Sequence, residues 1–128
     1  MFLDRNYTFN IIKNAIIKKK ILSIEYRHSL DEEIVLYKIA PFDIGTTNPE
    51  TYERNKDNVY AYCYDHKDDK GLLDPKVIAF NINNFISILD TGEIFEPNYL
   101  TAKHKEKTGY DYTSCKFAVA PDRNWYNT

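Results

Sequence analysis

The hydrophobic period of the sequence changes at Ile21, and this change constrains the fold more than any other feature. Residues 8–20 carry apolar side chains at spacings of three and four, which predicts an amphipathic helix with Thr8 as its N-cap. From Ile21 onward apolar and polar residues alternate, which is typical of a half-buried β-strand. The lysines at positions 18–20 match the negative end of a helix dipole, so we interpret them as a solvated helix terminus rather than a phosphate site.

Five short strands are predicted to follow the helix. They cover residues 22–27, 33–41, 59–64, 78–82 and 85–89. We expect Pro41 to end the second strand, because proline cannot donate to a sheet ladder. A turn at residues 90–92 is expected to end the fifth strand, with residues 93–95 returning beside it. This order predicts a mainly β (α+β) fold: a small antiparallel SH3-like barrel of about five strands, preceded by one N-terminal helix and followed by a C-terminal extension.

The chain is predicted to form one domain with an extension. Its 128 residues, 43% of them hydrophobic, suffice for one core without disulfide or metal staples. The predicted barrel domain, with its helix, covers residues 1–97, and residues 98–128 are predicted to pack on the barrel or on a partner. Within the extension, residues 103–107 are interpreted as a solvated charged stretch and residues 115–120 as a candidate strand.

Two further segments are candidates for interaction with other molecules. Residues 45–57 form a long polar connection, and loops of that length in a compact domain are either functional or mobile. Trp125 and Tyr126 place a large apolar area near the end of the chain, and such area is unfavourable when left in water. We therefore predict a surface there for the barrel, a protein partner or a second copy of the chain.

Charge and targeting patterns exclude several classes of protein. The formal net charge is -2, which argues against a protein that coats nucleic acid or an anionic membrane. Cys63 and Cys115 are too few and too far apart for a disulfide framework or a zinc site. The N-terminus has an acidic residue, Asp4, where a signal peptide would begin its apolar stretch, and no run is long enough to span a bilayer. We predict a cytoplasmic protein of a bacterial host cell, with a virion component as the alternative.

No residue pattern predicts catalysis, a metal site or a cofactor. The histidines at positions 28, 66 and 104 have no spacing typical of a metal motif, and residues 65–69 are favoured as a solvated turn over a cation site because a lysine interrupts them. Cys115, His104 and Asp111 can be drawn as nucleophile, base and orienting acid, but nothing supports the geometry that such a triad demands. With four glycines there is no Gly-rich phosphate loop, and we predict a non-enzymatic protein.

The most distinctive predicted surface is a stripe of three tyrosines on one face of the third strand. Tyr60, Tyr62 and Tyr64 could stack bases, as aromatic side chains do in single-strand-binding barrels. We favour the alternative that they pack as cross-strand pairs under a loop or the C-terminal tail, since nearby aspartates would repel phosphate. These tyrosines, with Phe80 on the fourth strand, are the candidate ligand-binding residues.

The order of these elements resembles the WYL domain, a small SH3-like or Sm-like barrel found in bacterial regulators. The resemblance covers roughly residues 9–97 and depends on short segments in a fixed order. They are Ala15, Ile24-Glu25-Tyr26, Ile39-Ala40-Pro41, Val59-Tyr60-Ala61, Ile78-Ala79-Phe80, Phe85 and Asp90-Thr91-Gly92-Glu93-Ile94-Phe95.

The resemblance implies a binding function, and the departures from it imply a changed ligand. In the family, a central Tyr and the Arg of Arg-x-Phe help form a polar pocket for nucleotides or nucleic-acid ends. Tyr60 keeps that tyrosine, whereas Ile78 and Asn84 stand at positions that are basic in the family. The loss of two guanidinium groups removes the side chains best suited to grip phosphate.

Two hypotheses follow for the function. The first is a regulatory module that binds a small nucleotide, an oligonucleotide or a protein partner and acts without a DNA-binding helix-turn-helix of its own. The second is a structural or interaction protein, of phage or mobile-element origin, that keeps the barrel but has lost the ligand pocket.

Overall fold

The computed structural model describes residues 1–45 and 55–109. Two α-helices, five β-strands and one short 3-10 helix follow one another in this part of the chain. In order they are α1 (Arg5–Lys18), β1 (Lys20–Tyr26), β2 (Val35–Ile44), β3 (Asn58–Cys63), β4 (Lys76–Asn81), the 3-10 helix (Ile82–Asn84), β5 (Phe85–Ile94) and α2 (Pro97–Thr108).

The five strands form one antiparallel sheet in the order β4-β3-β2-β1-β5. The chain thus runs as a meander from β1 to β4, and β5 returns to the free edge of β1. Tyr26 of β1 joins the two ends, because its ring contacts Phe80 of β4 and Phe85 of β5 at centroid distances of 5.0 and 5.3 Å. The predicted fold class is confirmed: the protein is mainly β, with an N-terminal helix and a five-stranded antiparallel sheet in a barrel-like arrangement.

The N-terminal helix begins earlier than predicted. Asp4 is its N-cap, and the Asp4 carboxylate accepts hydrogen bonds from the backbone N–H groups of Asn6 and Tyr7 at 3.1 and 3.2 Å. Thr8, the predicted cap, is wrong in that role, since it lies inside the helix and is buried. An aspartate cap satisfies N–H groups that have no intrahelical partner, and this fixes the start of α1.

The other end of α1 separates the three lysines. Lys18 lies in the last turn, Lys19 is a left-handed C-cap with φ 56°, and Lys20 already belongs to β1. The Lys20 ammonium pairs with the Asp90 carboxylate of β5 at 3.0 Å. The lysines therefore serve three different local roles.

The core lies between α1 and the sheet. Helix α1 contributes Ile12, Ala15 and Ile16, as the apolar spacing predicts, and it packs mainly on β2 and β1. Both faces of β3 are buried. The buried apolar residues of the sheet include Leu22, Ile24, Tyr26, Ile39, Phe42, Val59, Tyr60, Phe80 and Phe85.

Two strands continue past the ends that the sequence predicts. Strand β2 passes through Pro41 to Ile44, with a register shift after Pro41 that accommodates the residue without an N–H. Strand β5 passes through the predicted turn, and Gly92 adopts φ +82° at an irregularity while the chain stays paired with β1 as far as Ile94. Both predictions of a strand end are wrong. In each strand a register shift accommodates the residue that was expected to end the pairing, and the pairing continues beyond it.

Helix α2 contains the predicted solvated charged stretch, and within residues 103–107 only His104 is buried. Leu100, Thr101 and His104 are buried, while Lys103 and Lys105 face solvent. The His104 Nδ1 atom accepts a hydrogen bond of 3.1 Å from the Val77 backbone N–H, which lies on the outer edge of β4. The helix thereby shields part of an edge strand that could otherwise pair with another chain.

Some predictions concern residues outside those described. They are the candidate strand at 115–120, the drawn triad through Cys115 and Asp111, most of the loop 45–57, and the surface at Trp125 and Tyr126. The division of the chain at residue 97 remains a prediction, and α2 begins at that residue. Within the described residues, no helix combines the length and apolar character that crossing a membrane requires.

Tyr26 supports a first prediction, because its hydroxyl accepts a hydrogen bond of 2.7 Å from the Asn81 backbone N–H. Tyr26→Phe is expected to lower the free energy of unfolding by about 1–2 kcal/mol, since it leaves a part-buried amide without that acceptor. Urea denaturation followed by circular dichroism measures the change. Tyr7→Phe is the matched control, because Tyr7 is an exposed tyrosine of α1. Equal stability of the two variants would contradict the role given to the Tyr26 hydroxyl.

Candidate ligand pocket

A cavity of about 450 Å³ opens between the start of β2, the end of β3 and β4. We call it the His28–Phe80 pocket. Its lining residues are His28, Val35, Leu36, Tyr37, Cys63, Asp65, His66, Lys67, Ile78 and Phe80. The volume lies within the usual range for small-molecule sites, roughly 300–1,000 Å³.

Aromatic rings build one wall of this pocket. Phe80 is only 1% exposed, and its ring lies 5.5 Å from that of Tyr37 in an edge-on contact. The Tyr37 ring in turn contacts the imidazole of His28, 5.9 Å away and nearly perpendicular. Edge-to-face packing fixes the orientation of each ring, so the wall is preformed.

His28 and Tyr37 also form a polar pair at this wall. The His28 Nε2 and Tyr37 Oη atoms are 2.8 Å apart, and the direction of the hydrogen bond depends on the imidazole tautomer. Burial raises the pKa of the Tyr37 hydroxyl, and the nearby Cys63 and Asp65 raise it further. Tyr37 therefore stays a neutral phenol at neutral pH and can donate or accept a hydrogen bond.

Asp65 places a carboxylate in the pocket just after β3 ends. Its two oxygens accept from the Lys38 backbone N–H at 3.1 and 3.2 Å, and the Cys63 thiol lies 3.5 Å from one of them. Burial, with the negative charge of Asp65, raises the pKa of the Cys63 thiol to about 12. Cys63 is therefore a protonated thiol at neutral pH, and the thiolate is the form that reacts.

His66 is held by the loop between β3 and β4. Its Nδ1 atom lies 2.9 Å from the Asp74 carbonyl oxygen, which can only accept, so Nδ1 carries the proton and Nε2 is an acceptor in the neutral ring. The Asp74 carboxylate is anchored by Lys107 of α2 and by Lys76. The Lys107 ammonium donates a hydrogen bond to the Asp74 carboxylate, and this bond is the main cause of the lowered pKa of Asp74.

Residues 65–75 form an ordered turn, in agreement with the predicted turn at 65–69. Asp68 organises it, because its carboxylate accepts from the backbone N–H groups of Lys70 and Leu72, both at 2.9 Å. Lys67 and Leu73 form a β-bridge across the turn. In residues 1–45 and 55–109, no group of three or more His, Cys, Asp or Glu side chains is arranged to hold a metal ion.

The structure separates the four candidate ligand-binding residues. Phe80 lines the pocket, whereas Tyr60, Tyr62 and Tyr64 do not. Tyr60 and Tyr62 are 2% and 5% exposed, and the Tyr60 hydroxyl accepts from the Asn58 side-chain amide at 3.3 Å.

The outer tyrosines lie near other side chains of the protein. The Tyr62 and Tyr64 rings contact each other at 5.2 Å, and the Lys38 ammonium lies 5.5 Å from the Tyr64 ring centroid. Burial raises the pKa of Tyr62, and the nearby α2 residues Lys103 and Lys107 lower it in part. Tyr62, Lys103 and Lys107 line one shallow cavity, so Tyr62 lies beside α2.

Sequence reasoning missed most of the pocket. His28, Tyr37 and Asp65 come from segments that are distant in the sequence, and the fold brings them together in the pocket. The sequence singles out residues 65–69 only as a solvated turn or a cation site. Ile78 begins the predicted fourth strand, and the WYL resemblance marks it as the position where that family carries Arg. It lies in the pocket wall beside Phe80.

Comparisons with known proteins support the fold and nothing finer. No family model matches the sequence, and no curated protein matches it. Among solved structures, the chain is similar to proteasome accessory factor B/C (PafBC) of Arthrobacter aurescens, with a TM-score of 0.52 and 17% sequence identity. The match covers 84% of this chain and 13% of that chain. PafBC contains a WYL domain, so the similarity supports a WYL-like fold.

Proposed function

We propose that this chain is a non-enzymatic regulatory module that binds a small ligand or a partner segment through the His28–Phe80 pocket. The similarity of its fold to part of PafBC, a WYL-containing regulator, supports a regulatory binding role. The proposal places the protein in the cytoplasm, where its two cysteines stay reduced.

The observation that carries the proposal is the pocket itself. A cavity of about 450 Å³ with a preformed aromatic wall and a few polar side chains has the composition of a ligand site. The second hypothesis from the sequence, a barrel that has lost its pocket, is less well supported for the same reason.

The chemistry of the pocket supports binding rather than catalysis. Its thiol is held protonated, and its carboxylate already accepts a backbone hydrogen bond. The side chains that remain are suited to recognise a molecule by shape and hydrogen bonding.

Fragment screening by ¹H–¹⁵N NMR on the full chain tests the proposal. We expect ligands that shift the amide signals of residues 35–37, 63–67 and 78–80 together, because these segments line one cavity. Ile78→Trp fills the pocket and should abolish those shifts. Leu89→Trp is the matched control, since Leu89 is an exposed β5 residue outside the pocket.

A second filling variant keeps the test decisive if Ile78→Trp does not fold. Leu36→Trp places the same ring at the exposed side of the pocket, because the Leu36 side chain is 67% exposed and does not enter the core. Shifts that persist in both filling variants would reject the pocket as the binding site. Absence of any binding across the screen would favour the structural or interaction protein instead.

A further inference from the structure

We propose that the His28–Phe80 pocket takes a flat aromatic ligand that carries an amine or other N–H donor and no phosphate or carboxylate group. This inference rests on the proposed binding function and names the ligand class. It depends on three properties of the lining: the ring wall, the carboxylate acceptor of Asp65 and the partial burial of that negative charge.

The walls select for shape. The rings of Tyr37 and Phe80 meet edge-on, and Val35, Leu36 and Ile78 add aliphatic surface around the same cavity. Apolar and aromatic walls favour a ligand that buries a flat hydrophobic body, and such a body also gains from ring contacts.

The polar groups select for a donor. Asp65 offers carboxylate oxygens, which accept hydrogen bonds and cannot donate them. Each Asp65 oxygen accepts from the Lys38 backbone N–H and has lone-pair capacity for a further donor, so a ligand N–H would add a charge-assisted hydrogen bond that a ligand without a donor cannot make.

The charges select against anions. Among the lining residues, Lys67 supplies a cation and Asp65 an anion, so the formal charges cancel, and the wall beside Phe80 is the aliphatic Ile78. A phosphate or carboxylate entering the pocket would lose hydration and meet the half-buried Asp65 carboxylate, while the cation of the lining, Lys67, is exposed and screened by water. A cationic or neutral amine can instead donate a hydrogen bond to the Asp65 carboxylate.

Two probes that share one ring system test the inference directly. Tryptamine and indole-3-acetate carry an ammonium and a carboxylate on the same indole, so their difference reports charge rather than shape. We expect titrations of the full chain, followed by ¹H–¹⁵N NMR, to show tryptamine binding at least about tenfold more tightly. The shifts should map to residues 63–67 and 78–80.

Two substitutions change the preference by different routes. Asp65→Asn keeps an acceptor for the Lys38 N–H but removes the charge, and should weaken tryptamine binding about tenfold. Ile78→Arg introduces a guanidinium into the wall and should make indole-3-acetate the tighter ligand. Asp90→Asn is the matched control, because Asp90 is a carboxylate on β5 outside the pocket, and it should leave both affinities unchanged.

The possible outcomes separate the inference from the proposed function. If indole-3-acetate binds the unmodified pocket as tightly as tryptamine, or if Asp65→Asn leaves tryptamine affinity unchanged, the ligand class is wrong while pocket binding stands. If neither probe shifts pocket residues in the unmodified chain or in Ile78→Arg, the ligand class is rejected, and the fragment screen decides the binding function separately.

Discussion

Replacing Phe80 by alanine is expected to lower the free energy of unfolding by about 3–5 kcal/mol. Phe80 is almost fully buried, and its ring contacts those of Tyr26, Tyr37 and Phe85. Truncation removes apolar contacts and leaves a cavity that these fixed rings cannot close. Since small domains have a stability of roughly 5–15 kcal/mol, the loss is a large part of the total. Guanidinium denaturation followed by circular dichroism measures it.

The comparison with Phe80→Leu separates the effect of lost volume on stability from the effect of losing the ring. Leucine retains most of the buried volume, so we expect a smaller loss of stability than with alanine. Leu72→Ala is the matched surface control, because Leu72 is 63% exposed and its truncation should change stability by less than about 0.5 kcal/mol. A change at Phe80→Ala as small as the control would mean that the ring cluster does not support the fold.

The stability of the protein is expected to fall by about 2–3 kcal/mol between pH 6.5 and pH 4 through His104 alone. Burial, together with the positive charges of Lys76 and Lys107, lowers the pKa of His104 from 6.5 to about 4. His104 is 4% exposed, and its Nδ1 lone pair accepts the Val77 N–H, which a proton on that atom would displace.

The sign of the effect follows from the proton balance. Between pH 4 and pH 6.5 the unfolded chain binds a proton at His104 and the folded chain does not. Unfolding is therefore favoured as the pH falls through this window, and above pH 6.5 the term is constant. Because His104 fastens α2 to β4, local release of α2 is expected to accompany the loss.

A difference measurement isolates His104 from the carboxylates that titrate in the same range. His104→Gln keeps an amide oxygen that can accept from Val77 and cannot be protonated in this window. Urea denaturation of both proteins at pH 4, 5, 6 and 7 should give curves whose separation changes by about 2–3 kcal/mol. Curves that stay parallel would show that His104 does not titrate as its burial requires.

The strands were predictable where burial on one face follows the pleat. The alternation in Leu22, Ile24 and Tyr26 is a local property, and β1 forms as predicted. The ends of β2 and β5 were not predictable in this way. Pro41 and Gly92 are residues that usually end a strand, but neighbouring strands held the chain in the sheet through bulges.

Helix α2 was missed because its buried face is partly polar. Thr101 and His104 are buried together with Leu100, so the segment lacks the apolar periodicity that predicts a helix. Only the position of β4, with the Val77 N–H pointing outward, makes a histidine suitable there.

The residue pattern is enough to predict one helix followed by an antiparallel sheet, with Phe80 on a strand face among apolar neighbours. These properties depend on local periodicity, which governs the face each side chain takes. The folded chain places Tyr62 beside Lys103 and Lys107 of α2, buries His104, and brings His28, Tyr37 and Asp65 into one pocket. Such groupings depend on strand order and on the packing of distant segments, and no local pattern in the chain specifies them.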